Sequence, residues 1–369
     1  MTRLLPILPL LLQLVLVGCD SSGNGGDATP DPLSGSYNFA ALVLDIDATP
    51  DGRLLVTEGA TIRRIGADGV EDVQTVPVIE GSPLNGVEVI DNGAFFATSG
   101  GLDLADGAAL WRGSGDEVEM VADVKAFETD QDPDVTGATW KDPLCERDST
   151  QGFSEGPQSN PYHMARLSDR TTLIADGAGN SLLAADTDGT IGWVAVFEPP
   201  VDENGNWRFF RPAEGNPDLD CYVQPVPTSV AVGPDGAYYV GELTGTPAVP
   251  GWSRIWRIAP DARNVICPSA DCEMVVSGLT SVIDVTFGPD DRLYVVEMDR
   301  NGWLGAVIGQ GIGGAVKRCD VEAGTCGLVE ETDAPLTAIT FDPSGQLWVA
   351  ENENLFGTGE ATVRRVSLP

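Results

Sequence analysis

Basic residues are scarce in this sequence. Its 369 residues include 21 Lys and Arg against 56 Asp and Glu, which gives a formal net charge of −35. Such a chain repels nucleic acid and anionic lipid headgroups, so neither is a good candidate partner. The excess of carboxylates is typical of a solvated acidic surface, and it also fits a protein that binds a cation or a cationic ligand.

Histidine and helical periodicity are equally rare. His163 is the only histidine in the chain, and no cluster of four ligands accompanies the cysteines, which disfavours a metal–thiolate site. No segment after the N-terminus repeats its apolar residues with the period of an α-helix, whereas alternating stretches bounded by Gly, Pro and Asp are frequent. The sequence therefore predicts an all-β protein.

A turn of Pro, Asp and Gly followed by an apolar strand occurs six times, at residues 49–56, 90–97, 167–174, 233–240, 288–295 and 342–349. Repeats of this size with several strands each are typical of a β-propeller, whose blades bury their faces only by stacking in a ring. We predict six blades of four antiparallel strands. The chain ends one strand short of the sixth blade, and residues 36–43 are predicted to supply that strand and close the ring.

The N-terminus has the pattern of a bacterial lipoprotein signal. Residues 1–18 hold one Arg and an apolar stretch, and they end directly before Cys19, which predicts cleavage before this cysteine and its acylation. An ordinary signal peptide with an incidental cysteine is the alternative. Residues 19–36 are expected to form a flexible tether, and residues 37–369 the propeller. We expect a lipid-anchored protein of the bacterial cell envelope that faces the periplasm or the exterior.

The other six cysteines form an even number, as expected in an oxidising compartment. Cys267 and Cys272 flank one short loop between the third and fourth strands of a blade, and Cys319 and Cys326 flank another. Because a hairpin brings the ends of such a loop together, we predict a disulfide in each.

Two long insertions carry the remaining cysteines. Cys145 lies in residues 127–160 and Cys221 in residues 199–226. Both insertions are predicted to emerge on one face beside the third blade, since each joins the outer strand of one blade to the inner strand of the next. A third disulfide between these cysteines would pin a lid over the mouth of the central channel.

Several stretches are similar to the ScyD/ScyE family of envelope β-propellers: SNPYHMARL (159–167), ADGAGNSLL (175–183), VPTSVAVGPDGAYYVGELTGTP (226–247) and GLTSVIDVTFGPDDRLYVVE (278–297). The resemblance covers most of residues 40–369. It departs from the family pattern at His163, where the family tends to have a small residue. What the resemblance implies is the fold and a location in the envelope, without a reaction.

Related six-bladed sugar lactonases hold a divalent cation through Glu, Asn and Asp side chains at the start of the inner strands, seven positions before the turn. The matching positions here are Leu44, Asn85, Tyr162, Thr228, Ile283 and Thr337. Only Asn85 could be a ligand, and a hard dication needs several oxygen ligands, so this site is predicted to be absent. Propellers of the streptogramin-lyase type use a histidine base, a role that His163 could fill; a hydrogen-bonded structural histidine is the alternative.

Acidic residues recur at the end of the strand that follows the turn: Glu58, Asp176, Glu242, Glu297 and Glu351. They are expected to point toward one face near the channel mouth, where they could ring a cation or a polar ligand, or cap backbone N–H groups of loops. Asp130, Asp132 and Asp134 have the spacing of a calcium loop. The Gly and Glu of an EF-hand are missing and Pro133 interrupts the run, which favours a solvated loop.

The candidate ligand-binding residues share a predicted place near the channel mouth: Asn85, Asn160, Tyr162, His163, Asp176, Asn180, Glu242, Glu297 and Glu351. Aromatic residues in the long connections of the same face could add a recognition surface. The sequence favours a ligand-binding or accessory module for an unidentified small molecule or protein. The alternatives are a propeller hydrolase or lyase with a divergent cation site, with Ca²⁺ as the candidate ion, and a protein-interaction platform.

Overall fold

Six small antiparallel sheets form the blades of a β-propeller, as predicted. The computed structural model describes residues 33, 35–79, 82–100, 107–136, 157–210, 221–353, 355 and 359–368. Residues 32–369 form one compact unit. Among the described residues, no helix is long and apolar enough to cross a membrane.

The first three blades follow one another along the chain. Blade 1 consists of β2 (Ile46–Ala48), β3 (Leu54–Glu58), β4 (Thr61–Gly66) and β5 (Gly69–Thr75). Blade 2 consists of β6 (Leu84–Val89), β7 (Ala94–Ser99), β8 (Ala109–Ser114) and β9 (Glu117–Asp123). Blade 3 consists of β10 (Pro161–Arg166), β11 (Thr171–Asp176), β12 (Ser181–Asp186) and β13 (Ile191–Phe197).

The other three blades complete the ring. Blade 4 consists of β16 (Pro227–Val232), β17 (Tyr238–Glu242), β18 (Ser253–Ile258) and β20 (Cys272–Leu279). Blade 5 consists of β21 (Val282–Phe287), β22 (Leu293–Glu297), β23 (Ala315–Asp320) and β24 (Thr325–Glu331). Blade 6 consists of β25 (Leu336–Phe341), β26 (Leu347–Asn352), β27 (Ala361–Val366) and β1 (Ser36–Phe39).

The hydrophobic core lies between neighbouring blades. One cluster joins Ile46 and Val56 of blade 1 to Trp348 and Val363 of blade 6, and another joins blades 4 and 5. Burial of both faces explains why the first two strands of each blade are almost continuously apolar rather than alternating. The blades therefore depend on one another for their stability.

Closure of the ring occurs as predicted. Strand β1 pairs antiparallel with β27, with Ser36 opposite Arg364 and Phe39 opposite Ala361. Phe39 is buried in the cluster between the first and last blades. The N-terminal strand thus supplies the fourth strand of blade 6 and covers its edge.

Both local disulfides are present, Cys267–Cys272 and Cys319–Cys326. The first supports a connection that the sequence did not predict. Strand β19 (Val265–Cys267) leaves blade 4 and pairs in parallel with β13, which makes the sheet of blade 3 five-stranded. Disulfides are typical of proteins in oxidising compartments.

Short helices interrupt the all-β pattern in the connections between strands. Helix α1 (Val124–Gln131) begins the first insertion, α2 (Pro133–Thr136) follows it, and α3 (Trp303–Val307) lies between β22 and β23. Asp123 caps α1 by accepting a 2.8 Å hydrogen bond from the Ala126 amide. The solvated loop that the sequence favoured over a calcium loop is therefore wrong for this segment, because Asp130 is helical, Asp132 is the C-cap of α1 and Asp134 is buried.

The two ends of the propeller differ. The β-turns between the first and second strands of every blade lie at one end, the turn side, and the connections between blades lie at the other, the insertion side. The inner strand of each blade runs from the insertion side to the turn side. The second insertion forms a small hairpin of β14 (Phe209–Phe210) and β15 (Cys221–Tyr222).

A register shift near the start of the inner strand recurs in five blades, between Leu84 and Gly86, Pro161 and Met164, Pro227 and Ser229, Val282 and Asp284, and Leu336 and Ala338. Such a bulge changes which side chain faces a given direction, because side chains alternate along a strand. Residues six positions before the turn, rather than seven, consequently meet at the channel.

Candidate functional site

The central channel holds a polar cavity of about 270 Å³. Its lining comes from the last half of the inner strands and includes Asp45, Asp47, Glu88, His163 and Asp284. These residues occupy the half of the channel nearest the turn side. Four carboxylates and the single histidine of the chain therefore share one cavity.

The position six residues before the turn alternates between long and small side chains around the ring. Blades 1, 3 and 5 place Asp45, His163 and Asp284 there, and blades 2, 4 and 6 place Gly86, Ser229 and Ala338. A Cβ atom at Gly86 would lie 2.7 Å from both Thr98 Oγ1 and the Tyr162 carbonyl oxygen. Packing thus requires a glycine at this position in blade 2, and at this level only the odd blades contribute long polar side chains.

His163 crosses the channel from blade 3 to blades 1 and 5. Its Nε2 donates a hydrogen bond to the Leu44 carbonyl at 3.0 Å, and its Nδ1 lies 3.0 Å from Asp284 Oδ1. Asp45 Oδ1 is 3.9 Å from Nε2. The side chain is only 3% exposed, so its charge state is set by the protein rather than by solvent.

Both aspartates of the cluster are held by backbone amides of two blades. Asp45 accepts from the amide of Ile46 in its own blade and from that of Val87 in blade 2, each at 2.8 Å. Asp284 accepts from Val285 and from Ile339 of blade 6, each at 2.8 Å, and from the Ser229 hydroxyl at 2.7 Å. These bonds fix the carboxylates and tie adjacent inner strands together.

Asp47 and Glu88 line the cavity closer to the turn side. Asp47 accepts hydrogen bonds from the amides of Ala48 and Val89 at 2.8 and 2.7 Å. Like Asp45, two residues earlier in the chain, it thus bonds to one amide of its own blade and to one of blade 2. Glu88 Oε1 accepts from the Arg166 amide at 3.2 Å. The mouth of the cavity thus carries two further carboxylates, and the Arg166 side chain lines the cavity beside them.

Burial and mutual repulsion shift the protonation of this cluster. Burial raises the pKa of Asp45 to about 8, with the His163 charge opposing that shift, and burial raises the pKa of Asp47 to about 6. The pKa of Glu88 is well above its usual range because of burial and the neighbouring Asp47. Burial alone would lower the pKa of His163, but Asp284 and Asp45 outweigh it and raise that pKa to about 9. The Arg166 side chain also lines the cavity, where its charge lowers the pKa of Glu88. The imidazole and this guanidinium therefore supply the positive charge beside the carboxylates.

The insertion-side half of the channel is occupied by packed and hydrogen-bonded side chains. Tyr162 stacks on His163 with ring centroids 4.7 Å apart and packs against the cluster that contains Ile283. Asn85 Nδ2 donates to Asn160 Oδ1 at 2.8 Å and to the Pro161 carbonyl at 2.9 Å. The structure thus brings Asn85, Asn160, Tyr162 and His163 close together. The cavity that reaches His163 opens toward the turn side, however, whereas the lid was predicted on the insertion side.

Asn180 joins both insertions to blade 3. Its Nδ2 donates to Asp134 Oδ2 of the first insertion at 2.9 Å and to Gln224 Oε1 of the second at 3.3 Å, while its Oδ1 accepts from the Val226 amide. Asp176, also buried, accepts from the Ser159 hydroxyl and from two backbone amides. Both residues organise the loops rather than line the cavity.

The recurrent glutamates are held by partners of their own blades. Glu242 pairs with Arg254 and accepts from Trp256 Nε1 at 2.7 Å, and Glu297 pairs with Lys317. The remaining pairs of this kind are Glu58 with Arg63 and Glu351 with Arg364. In these four blades, the glutamate at or next to the end of the second strand therefore pairs with a basic residue of the third strand. That basic residue is Lys317 in blade 5 and an arginine in the other three.

Aromatic residues of the second insertion form an exposed group on the insertion side. Trp207 packs edge-on against Tyr222 with centroids 5.3 Å apart, and the Arg208 guanidinium lies 4.3 Å over the Trp252 ring. Phe209 is 52% exposed. Trp140, Phe153 and Phe356 lie outside the described residues. So do Cys19, Cys145 and the side chain of Cys221, and with them the predicted third disulfide and the lipid anchor.

A second group of carboxylates lies close together at the end of α1. Glu128, Asp132 and Asp134 could each direct one oxygen toward a common point. Each already has an interaction partner, so we build no proposal on this group.

Asp45, Asp47, Glu88 and Asp284 are absent from the sequence-based candidates. Their signal was present in the repeat, since four acidic side chains and the histidine occur four or six positions before the turn. The sequence comparison was made only at the position seven residues before the turn, so it did not include them.

No protein-family model matches the chain, and no curated protein is detectably similar to it in sequence. Solved propellers match it over most of its length at low identity. One of them is a proposed glucose dehydrogenase of Thermus thermophilus, with a TM-score of 0.51 and 14% identity. The match covers 89% of this chain and 98% of that chain.

Two further structures have a TM-score of 0.49. Virginiamycin B lyase of Staphylococcus aureus is 15% identical, with 85% of this chain and 80% of that chain covered. A gluconolactonase of Xanthomonas campestris is 12% identical, with 91% and 88% covered. The Thermus thermophilus match, with its TM-score of 0.51 at 14% identity, shows the fold alone.

Proposed function

We propose that this protein is a ligand-binding module that takes a small cationic ligand into the turn-side half of its central channel. The observation that carries the proposal is the cavity itself, which Asp45, Asp47, Glu88 and Asp284 line together with one buried histidine. Pockets with convergent polar groups and strongly shifted pKa values are the usual places for ligands. A net charge of −35 further raises the local concentration of cations.

The size and charge of the cavity limit the ligand. A volume of about 270 Å³ lies at or below the lower end of ordinary ligand pockets, which suits a hydrated metal ion or a small amine better than a sugar chain. Three of its carboxylates have raised pKa values. A bound cation would stabilise the charged forms of these carboxylates. Its affinity would increase because it reduces the electrostatic repulsion between them.

A hydrolase or lyase is the second candidate function, and the contact between His163 and Asp284 favours it. A histidine base must be neutral to accept a proton, however, and the pKa of His163 is raised to about 9 by the two aspartates. The positions that hold the cation in lactonases carry Leu44 and Ile283 here. Binding is therefore the better supported function, and a protein-interaction platform through the exposed aromatic residues is the third.

Membrane attachment and family membership belong to the same proposal. We infer that Cys19 is acylated and anchors the propeller to the cell envelope, and that the chain is a divergent ScyD/ScyE-type protein. The two disulfides support an oxidising compartment. A Cys19→Ala variant should take up no labelled palmitate in cells; uptake equal to that of the natural chain would overturn the anchor.

Isothermal titration calorimetry tests the binding function. The probes are ethylenediamine, Ca²⁺ and Zn²⁺, added to the chain carrying Cys19→Ala. We expect at least one probe to bind, and Glu88→Gln to weaken it at least threefold because a carboxylate at the mouth is lost. Glu322→Gln removes the same charge from an exposed surface position and should have no effect. Binding of no probe, or equal weakening by both variants, would contradict the proposal.

A further inference from the structure

One ligand atom each from Asp45, His163 and Asp284 lie within 4.8 Å of one another. The three side chains come from blades 1, 3 and 5, so they approach a common point from three directions around the channel axis. All three are at least nine-tenths buried. This is the size and shape of a cluster that encloses a single ion.

The Nδ1 atom of His163 is the second observation. It is buried and finds no hydrogen-bond partner among the residues that the structure describes. Asp284 Oδ1 lies only 3.0 Å away, so the angle rather than the distance prevents a hydrogen bond between the two atoms. An imidazole nitrogen and a carboxylate oxygen that are close but do not point at each other can both be directed at a third atom.

The other ring nitrogen fixes the tautomer. Nε2 faces the Leu44 carbonyl at 3.0 Å, and a carbonyl oxygen can only accept, so Nε2 carries the proton. In the neutral imidazole this leaves the lone pair on Nδ1. A histidine whose second nitrogen donates to a backbone carbonyl is the usual arrangement at a metal centre, because that bond orients the ring.

Both carboxylates are oriented in the same way. Asp284 is held by Ser229 Oγ at 2.7 Å and by two backbone amides, and Asp45 by two backbone amides. These bonds leave further lone pairs on the oxygens, since each carboxylate offers about four acceptor positions. The cluster is thus preorganised by surrounding groups rather than free to rearrange.

We propose that Asp45, His163 and Asp284 form a binding site for one first-row transition dication, such as Zn²⁺, at the inner end of the channel cavity. One imidazole nitrogen and two carboxylates suit such an ion better than Ca²⁺ or Mg²⁺, which prefer oxygen ligands alone. Two negative charges neutralise a dication. Three protein ligands leave at least one coordination position open toward the cavity, where water or a polar ligand can bind.

This inference rests on the proposed binding function and narrows its ligand. The competing arrangement is an imidazolium held by the two aspartates with no metal, in which Nδ1 is also protonated. The two arrangements differ in a measurable way, because metal coordination requires the Nδ1 lone pair and an imidazolium has none. The chain has a single histidine, so its NMR signals report on this site alone.

The experiment combines titration with Zn²⁺ and Co²⁺ and the ¹⁵N and ¹H signals of His163 in the untagged chain carrying Cys19→Ala. We expect one Zn²⁺ per chain, a change at Nδ1 rather than Nε2, and paramagnetic shifting of the ring signals by Co²⁺. His163→Gln should weaken Zn²⁺ binding at least tenfold. Asp291→Asn removes an exposed carboxylate of a turn outside the channel and should leave the affinity unchanged.

Each other outcome decides the question. Zn²⁺ binding that survives His163→Gln would place the ion elsewhere, for instance on thiolates, which Co²⁺ absorption would identify, and would overturn the inference. No Zn²⁺ binding together with ethylenediamine binding that depends on Glu88 would overturn the metal site and leave the proposed function intact. Failure of every probe would overturn both.

Discussion

At the scale of single residues, the charge state of His163 governs the channel. The imidazole contacts blade 1 through Leu44 and blade 5 through Asp284, so it links inner strands that are not neighbours in the ring. Its raised pKa of about 9 means that, without a metal, the protonated form is favoured in the folded state. In the unfolded chain a histidine titrates near its ordinary value of about 6.5.

The metal-free protein should therefore lose stability as the pH rises from about 6.5 to about 9. A group whose pKa is higher in the folded state binds more protons there, and its contribution to the free energy of unfolding is complete below the unfolded pKa and disappears above the folded one. The raised pKa of Asp45, about 8, acts with the same sign. Urea unfolding at several pH values in the presence of a chelator measures this loss.

The control for that measurement is His163→Gln. Glutamine keeps a donor toward Leu44 but cannot titrate, so the histidine-dependent part of the loss should vanish in this variant. A free energy of unfolding that is flat from pH 6.5 to 9 in the natural chain would show that the imidazole is neutral in the fold.

At the scale of elements, one side chain, Asn180, bonds to the described parts of both insertions. Asn180, in a left-handed conformation with φ of 49°, bonds to Asp134 and Gln224 from different insertions. Sequence spacing predicted that both insertions lie beside blade 3 and that a disulfide links them. A buried asparagine that bonds to residues of both insertions gives no pattern that could be recognised in the sequence.

Asn180→Ala should lower the free energy of unfolding by about 2–4 kcal/mol, because buried partners lose their bonds and alanine disfavours a positive φ. Asn180→Gly removes the same bonds without the backbone cost, so it separates the two effects. We expect the glycine variant to lose at least about 1 kcal/mol in urea unfolding. Full stability of the glycine variant would show that the side-chain bonds do not hold the insertions.

Strand β1 is the second element whose contribution can be measured. A chain that starts at Ala40 lacks the pairing with β27 and the buried side chains of Leu33 and Phe39. It should lose at least about 3 kcal/mol, since each large apolar side chain contributes about 1.5–3 kcal/mol. A chain that starts at Pro32 keeps all of these contacts and is the control. Equal melting temperatures for the two would contradict closure by β1.

At the scale of the whole molecule, the repeat in the sequence was sufficient to predict the fold but not to identify the residues that line the channel cavity. Turns and apolar strands recur because each blade solves the same packing problem, so the ring, its closing strand and the two hairpin disulfides followed from pattern. Two of the channel residues, His163 and Asp284, lie at a bulge near the start of their inner strands, which changes the direction of their side chains from that in a regular strand. Backbone irregularities of one residue leave no mark in composition or periodicity.

The titration curve of His163, followed by NMR with and without a bound cation, tests the central claim most directly. A cation in the channel competes with the imidazolium for Asp45 and Asp284, so saturation with Zn²⁺ should lower the apparent pKa of His163 well below its metal-free value of about 9. Ethylenediamine, bound nearer Glu88, should lower it less. A titration curve that no cation shifts, at concentrations that saturate any binding, would contradict the claim that this channel is a cation-binding site.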